Sequence, residues 1–230
     1  MTFPINPPGI LYIVSTPIGN LADISLRAVE TLKSASLVLS EDTRVTGKLL
    51  SHYHIQTRQL SFHDHNEKTK TPIVIDILLQ GKSAALVSDA GTPLISDPGY
   101  SLVNAAIKNN IEIVPIPGAS SILAALVASG FPSDRFVFEG YAPRTEGKLR
   151  RFFGGILNEP RTIVIFETPH RIKKCLNVML EVMGNREIFI GRELTKKFEE
   201  KIRGNLEEVC RKLEGRSLKG EIVVIIKANG

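Results

Sequence analysis

Short apolar runs rich in β-forming residues recur along the chain, and the early ones each end in a segment crowded with Gly, Pro, Ser, Thr or Asp. Ile10 to Val14 runs into Thr16-Pro-Ile-Gly-Asn20, and Ser36 to Ser40 into Glu41-Asp-Thr-Arg44. Ala84 to Ser88 opens the long loop to Gly99, and Ile111 to Ile116 meets Pro117-Gly-Ala-Ser-Ser121. Helical periodicity fills the intervals: Ser25 reads as a cap before Leu26, Val29 and Leu32, a second helix runs toward Leu50, and an apolar helix reaches Ala128. Strands separated by helices pair through crossovers, so the pattern predicts parallel, helix-covered sheets and an α/β fold. In such sheets ligands bind beyond the carboxyl ends of the strands. That places a small-molecule site on the segments 15–20, 41–44, 89–99 and 117–121.

The alternation resumes after residue 130. Phe136 to Phe138, Thr162 to Phe166, Glu187 to Ile190 and Glu221 to Ile226 read as strands, with helices near 168–182 and 205–213. Lys197 to Arg203 is an amphipathic strand candidate close to its neighbour, which predicts hairpins here and a mixed sheet. Charge divides with the pattern. Residues 1–117 hold 9 Lys/Arg against 10 Asp/Glu, whereas residues 118–230 hold 20 against 14. The turn-rich Pro115-Ile-Pro117 lies at the change, so two α/β domains are expected, 1–117 and 118–230. A basic half suits either a polyanion or an ordinary solvated surface.

Several classes drop out. No apolar run is long enough to cross a bilayer, and Met1 to Gly9 does not read as a signal peptide. Cys175 and Cys210 are the only cysteines, too few for a disulfide framework, and a reduced cytoplasmic setting fits. Neither GxxxxGK[ST] nor a GxGxxG after the first strand is present, and proline stands where a dinucleotide loop needs glycine. A cofactor without phosphate suits these loops better, with glycine letting backbone approach it and hydroxyls reading its polar ends. Taken one at a time, the same loops are also explained as turn chemistry.

Six ordered motifs then resemble a known family: Ser15-Thr-Pro-Ile-Gly-Asn-Leu21, Ser40-Glu-Asp-Thr-Arg44, Ser88 through Gly99, Pro115-Ile-Pro-Gly-Ala-Ser-Ser121, Phe166-Glu-Thr-Pro-His-Arg171 and Arg192-Glu-Leu-Thr-Lys196. Together they closely resemble the ribosomal small subunit methyltransferase I family, a branch of the tetrapyrrole methylase superfamily, over residues 10 to 227. The resemblance implies two α/β domains, the first sheet mostly parallel and the second mixed, with S-adenosylmethionine in a cleft between them and usually a homodimer. It implies 2′-O-methylation of a cytidine in the decoding region of 16S rRNA, within the small ribosomal subunit. It also implies cofactor contacts from Gly19, Asp89, Gly91, Thr92, Pro93, Ser120 and Ser121, with Phe166 and Glu167 closing over the adenine. Many relatives carry a further basic extension beyond the point where this chain stops.

Methyl transfer to a ribose hydroxyl needs in-line placement and a nearby base. Asp42 and Glu41, beside Arg44, are the favoured candidates; Glu193 beside Lys196, and His65, are others. Asp42 with Arg44 also reads as a salt-bridged loop, and Glu193 as a surface carboxylate. Asp89 is a cofactor contact or an Asx turn, and Asp97, ahead of Pro98, is a helix cap. His52 with His54, and His63 with His65, would share faces if they lay on strands, but sulfonium chemistry needs no metal and none is expected. For RNA, Arg144, Lys148, Arg150 and Arg151, interleaved with Tyr141, Phe152 and Phe153, form one basic cluster, and His170 with Arg171 a second. A mobile linker with core phenylalanines explains the first cluster equally well. Two rivals remain at this point: a methylase of a tetrapyrrole-like ring, and a non-catalytic RNA-binding factor.

Overall fold

The computed structural model describes residues 7–229. Residues 1–6, most of the segment read for a leader, lie outside the described residues. The chain divides into two compact units, Met1–Ser120 and Ser121–Gly230, three residues past the expected boundary.

The first unit carries strands β1 (Ile10–Val14), β2 (Leu37–Ser40), β3 (Gln59–Ser61), β4 (Ala84–Val87) and β5 (Glu112–Ile116). Helices α1 (Leu26–Ser34), α2 (Thr43–His52), α3 (Glu67–Leu79) and α4 (Tyr100–Lys108) connect them. The sheet order is β3-β2-β4-β1-β5, and every pairing is parallel. Period-two alternation splits the strands between two cores. Leu37, Leu39 and Leu86 pack with Val74, Leu78 and Leu102 from α3 and α4, while Val38, Ala85 and Val87 pack with Leu32 and Leu50 from α1 and α2. Pro115 lies in β5, at the edge of the sheet, where its missing N–H breaks no ladder bond on the open side.

The second unit runs α5 (Ser121–Ser129), β6 (Phe136–Tyr141), α6 (Glu146–Gly155), β7 (Thr162–Glu167), α7 (Ile172–Met183), β8 (Glu187–Arg192), β9 (Glu200–Asn205), α8 (Leu206–Leu213) and β10 (Ile222–Ile226). Its order is β6-β7-β10-β8-β9; β6 and β7 are parallel and the other pairs antiparallel. The mixed sheet and the β8–β9 hairpin are therefore as expected, although β9 begins at Glu200 rather than at Lys197.

Other expectations need correction. Helices α3 and α6 were not legible: Pro72 lies inside α3, and glycines stand at both ends of α6. Phe153 is fully buried and Phe152 packs against the same core, so neither is a stacking surface. The paired histidines are not on strands. His52 ends α2, His54 sits in a left-handed turn at φ 53°, and His63 and His65 lie in the turn after β3 with ring centroids 5.9 Å apart.

Asp97 is the most instructive departure. It does not cap a helix, because α4 starts only at Tyr100, behind Gly99 at φ 125°. The carboxylate that reaches the first turn belongs to Glu67 of α3, which accepts from the Ser101 N–H at 2.9 Å. A Cβ at Gly99 would lie 2.6 Å from Cδ2 of the buried Leu86. Gly99→Ala therefore combines a left-handed backbone with overpacking and is expected to cost about 2–4 kcal/mol, measured as a lower urea midpoint at constant slope. An unchanged midpoint would show that the loop relaxes freely.

Candidate functional site

All four turn-rich segments emerge from the carboxyl ends of parallel strands of one sheet, after β1, β2, β4 and β5. They are bonded to one another. Thr16 and Gly91 exchange backbone hydrogen bonds, with the Thr16 N–H donating to the Gly91 carbonyl at 2.8 Å and the reverse bond at 3.0 Å. The Thr16 hydroxyl donates to the Ser88 carbonyl at 3.1 Å, and the Ser15 and Thr92 hydroxyls meet at 3.0 Å. Thr92 also donates to the Ala119 carbonyl at 3.4 Å, tying the loop after β5 to the other two. These polar groups are buried or half-buried in a loop cluster, so each bond satisfies a donor that water cannot reach.

Glycine is required where these loops crowd. Gly91 has φ 83°, and a Cβ there would sit 3.4 Å from Ile18; at Gly118 it would lie 3.0 Å from the Ser15 Cβ. Between Gly91 and Gly99 two further residues, Leu94 at φ 72° and Ser96 at φ 66°, hold left-handed backbone. Such strain persists only where surrounding contacts over-determine it, and it concentrates at ligand-binding loops. Gly19 lies exposed at the tip of the loop after β1, and Pro93 is buried beside Gly91.

An acidic group occupies the same edge. The Asp42 N–H donates to Asp89 Oδ1 at 3.0 Å, so Asp89 bridges to the β2 loop, and its own N–H points at Glu41 Oε2, 3.5 Å away. Asp42 caps α2, accepting from the Arg44 N–H at 2.8 Å, and pairs with the Arg44 guanidinium at 2.6 Å. That hydrogen bonding holds its carboxyl well below the usual carboxylate range. Glu41 moves the other way: burial raises its pKa, and the charge of Asp89 adds to the effect. Asp97 is pushed up to about 6, by burial first and then by the charge of Glu41. Of the three residues expected to do acid–base work, Asp42 and Arg44 form the salt-bridged helix cap and Glu41 has a perturbed basicity. Asp97 was missed because Asp-Pro looked like a helix start; the one contrary signal in the sequence was Gly99, a poor residue for a first helical turn.

Ser120 closes the first unit and Ser121 opens α5 of the second. In the second unit, Phe166 on β7 is half-buried and its ring packs 4.8 Å from Phe138 and 5.4 Å from Tyr141. Glu167 is buried; its Oε1 accepts from the Thr168 N–H at 2.7 Å and its Oε2 pairs with Arg171 at 3.1 Å. Arg171 also donates to the Ala142 carbonyl, so its guanidinium is occupied within the unit. Arg150 pairs with both Glu146 and Glu181. Arg144, Lys148, Arg151 and His170 are exposed. Among the described residues no group of three or more His, Cys, Asp or Glu is arranged to hold a metal, and no helix is long and apolar enough to cross a membrane.

Comparison with known proteins agrees with this architecture. The Tetrapyrrole (Corrin/Porphyrin) Methylases profile matches residues 10–210. Several relatives carry the name ribosomal RNA small subunit methyltransferase I. The one from Halalkalibacterium halodurans is 47% identical over 96% of this chain and 77% of its own length. The one from Streptococcus pyogenes is 50% identical over 95% and 76%. Among solved structures, a diphthine synthase superposes with a TM-score of 0.72 at 15% identity, covering 95% of this chain and 90% of its own. A Thermus thermophilus uroporphyrin-III C-methyl transferase complexed with S-adenyl homocysteine gives 0.63 at 19%, covering 94% and 97%. At those identities the structural likeness shows the fold alone. The match to the profile and to the sequence relatives runs through nearly every strand of both units, and on that ground the chain belongs to the tetrapyrrole (corrin/porphyrin) methylase family and, within it, to the ribosomal RNA small subunit methyltransferase I family.

Proposed function

We propose that this protein uses S-adenosylmethionine to methylate the 2′-hydroxyl of a cytidine in the decoding region of 16S rRNA, acting on the small ribosomal subunit in the cytoplasm as a homodimer. The observation that carries the reading is the interlocked loop cluster at the carboxyl edge of the parallel sheet, in a chain about half identical to proteins named for rRNA methylation.

The residues fit the cofactor. Gly91 holds a left-handed backbone and Gly118 packs closely on Ser15, so both loops keep bare backbone that a bound adenosine can approach, and Thr92, Ser120 and Ser121 offer hydroxyls to an amino-acid end. Asp89 supplies a carboxylate for an amino group, while Gly19 and Pro93 shape the surrounding loops. When bound, S-adenosylmethionine supplies an electrophilic methyl group. The chain's own task is to place the ribose oxygen in line and take its proton. Glu41 and Asp97 are the acceptors that this edge provides, since a carboxylate of raised pKa is a better base near neutrality than Asp42, whose anion is already stabilised by Arg44. Arg144, Lys148 and Arg151 supply exposed positive charge for the RNA backbone, with the exposed ring of His170 on the same unit; Arg150 and Arg171, already paired, hold local structure instead.

The test is transfer of a tritiated methyl from S-adenosylmethionine to purified small subunits from a strain lacking the gene, with primer-extension mapping of the 2′-O-methyl site. Label on one cytidine of the decoding region is expected. Unlabelled rRNA, or a subunit already methylated in that strain, would overturn the reading.

A further inference from the structure

We infer that the loop joining β8 to β9, together with the 216–219 turn, docks an unpaired nucleotide of the RNA substrate, with Phe198 stacking on the base and Lys197 and Lys219 meeting the adjacent phosphates. The inference rests on the RNA substrate proposed above and assigns it a contact far in sequence from the 144–151 cluster. The end of β8 and this loop carry the Arg192-Glu-Leu-Thr-Lys196 motif, which neither the cofactor site nor the base has absorbed.

Phe198 is 67% exposed. A lone exposed apolar residue is ordinary on a protein surface, but this one stands on a loop built to hold it. Glu193 and Thr195 adopt left-handed backbone, φ 50° and 66°, and neither is glycine. Lys196 locks that shape by pairing with Glu193 at 2.9 Å and Glu221 at 3.1 Å. Glu193 accepts the Glu221 N–H at 3.0 Å, and the Thr195 N–H donates to Glu199 at 2.7 Å. Gly220 is part of the same fit, because a Cβ there would overlap the Glu193 carboxyl at 2.2 Å. The ion pairs thus fix a strained loop that projects its aromatic ring outward.

The surroundings of the ring select an anion with a flat face. Phe198, Arg216, Ser217 and Lys219 border a depression of about 270 Å³. Residues 192–201 and 216–221 hold six Lys/Arg against four Glu. Arg192 and Arg216 share a single carboxylate, Glu200, at 2.9 and 2.8 Å. Lys197 lies 5.7 Å from the Phe198 centroid, and among the described residues neither it nor Lys219 forms an ion pair. An exposed aromatic ring bordered by unneutralised cations is the arrangement that binds single-stranded nucleic acid, where stacking tolerates any base and phosphates supply the salt dependence.

The test compares the full-length wild type, Phe198→Ala, Phe198→Tyr and Lys219→Ala for binding of a fluorescein-labelled single-stranded RNA and the matching duplex, alongside methyl transfer to small subunits. Phe198→Ala is expected to weaken single-strand binding about 10-fold with little effect on the duplex, whereas Phe198→Tyr stays within about 2-fold of wild type. Lys219→Ala is expected to reduce the salt slope by about 1. Wild-type binding and methyl transfer by Phe198→Ala would overturn the docking site and leave the proposed activity standing. A Phe198→Ala protein that loses self-association on sizing would overturn it too, making Phe198 a contact between copies. If the wild type methylates no subunit, the proposed activity itself fails; if it binds no single strand, the docking site fails whether or not methyl transfer is seen.

Discussion

Replacing Asp97 by asparagine is expected to make the protein more stable at pH 7.5 and at least about 100-fold slower in methyl transfer. Both effects have one cause. Asp97 is half-buried, and its pKa is pushed up to about 6 from an ordinary value of 3.8, by burial first and by the charge of Glu41 second. A carboxyl group raised in the folded state binds its proton more tightly there than in the unfolded chain. Ionising it therefore works against folding. The penalty is absent well below pH 3.8, where both states are protonated, grows as pH rises from about 4 to 6, and is complete at 7.5. A shift of this size corresponds to nearly 3 kcal/mol in full, and solvent screening of a half-exposed group reduces the expected gain to about 1–2 kcal/mol. Urea unfolding at pH 4 and 7.5 should show the variant and wild type converging at the lower pH. Methyl transfer by the wild type should rise with pH through about 6 to a plateau above about 7, and the variant should lose that dependence. A variant that is less stable at pH 7.5 and fully active would make Asp97 a structural loop residue.

Glu167→Ala is expected to destabilise the second unit by about 2–4 kcal/mol. Glu167 is buried at the end of β7, where it satisfies the Thr168 N–H and pairs with Arg171 just ahead of α7. Removing it strands a guanidinium that is itself mostly covered, with 26% of its side chain exposed. Breaking one side of a buried pair costs more than the pair contributes, because the remaining charge is left without a counterion. Glu167→Gln keeps an acceptor and should lose less, about 1–2 kcal/mol. Urea unfolding separates this from the role that resemblance assigned to the residue. A Glu167→Ala protein of unchanged stability whose affinity for S-adenosylhomocysteine falls would show a cofactor contact rather than a structural pair.

Much of the fold is legible in the sequence. Residues Ile10 to Val14, Ala84 to Ser88 and Thr162 to Phe166 are β-rich runs bounded by turn residues, and each forms a strand within a residue or two of its reading. Helix α3 was hidden because Pro72 reads as a breaker, yet its buried Val74, Ile75 and Leu78 hold it against the sheet. Helix α6 was hidden by its glycines, and it forms because Leu149 and Phe153 close the second core. Tertiary burial outweighs local propensity at both places.

The site divides the same way. Sequence alone determined the α/β alternation, the turn chemistry at four strand ends and the family to which they belong, because periodicity and Gly/Pro placement are local properties of the chain. Only the tertiary structure decided which carboxylates act as caps and which are left in the cluster. Arg44 claims Asp42 across two residues, but Glu67 reaches Ser101 from 34 residues away, and Asp97 meets the field of Glu41 only because β2 and β4 are neighbours in the sheet. Basicity depends on burial and on charges brought together through space, and those distances exist only once the sheet has formed.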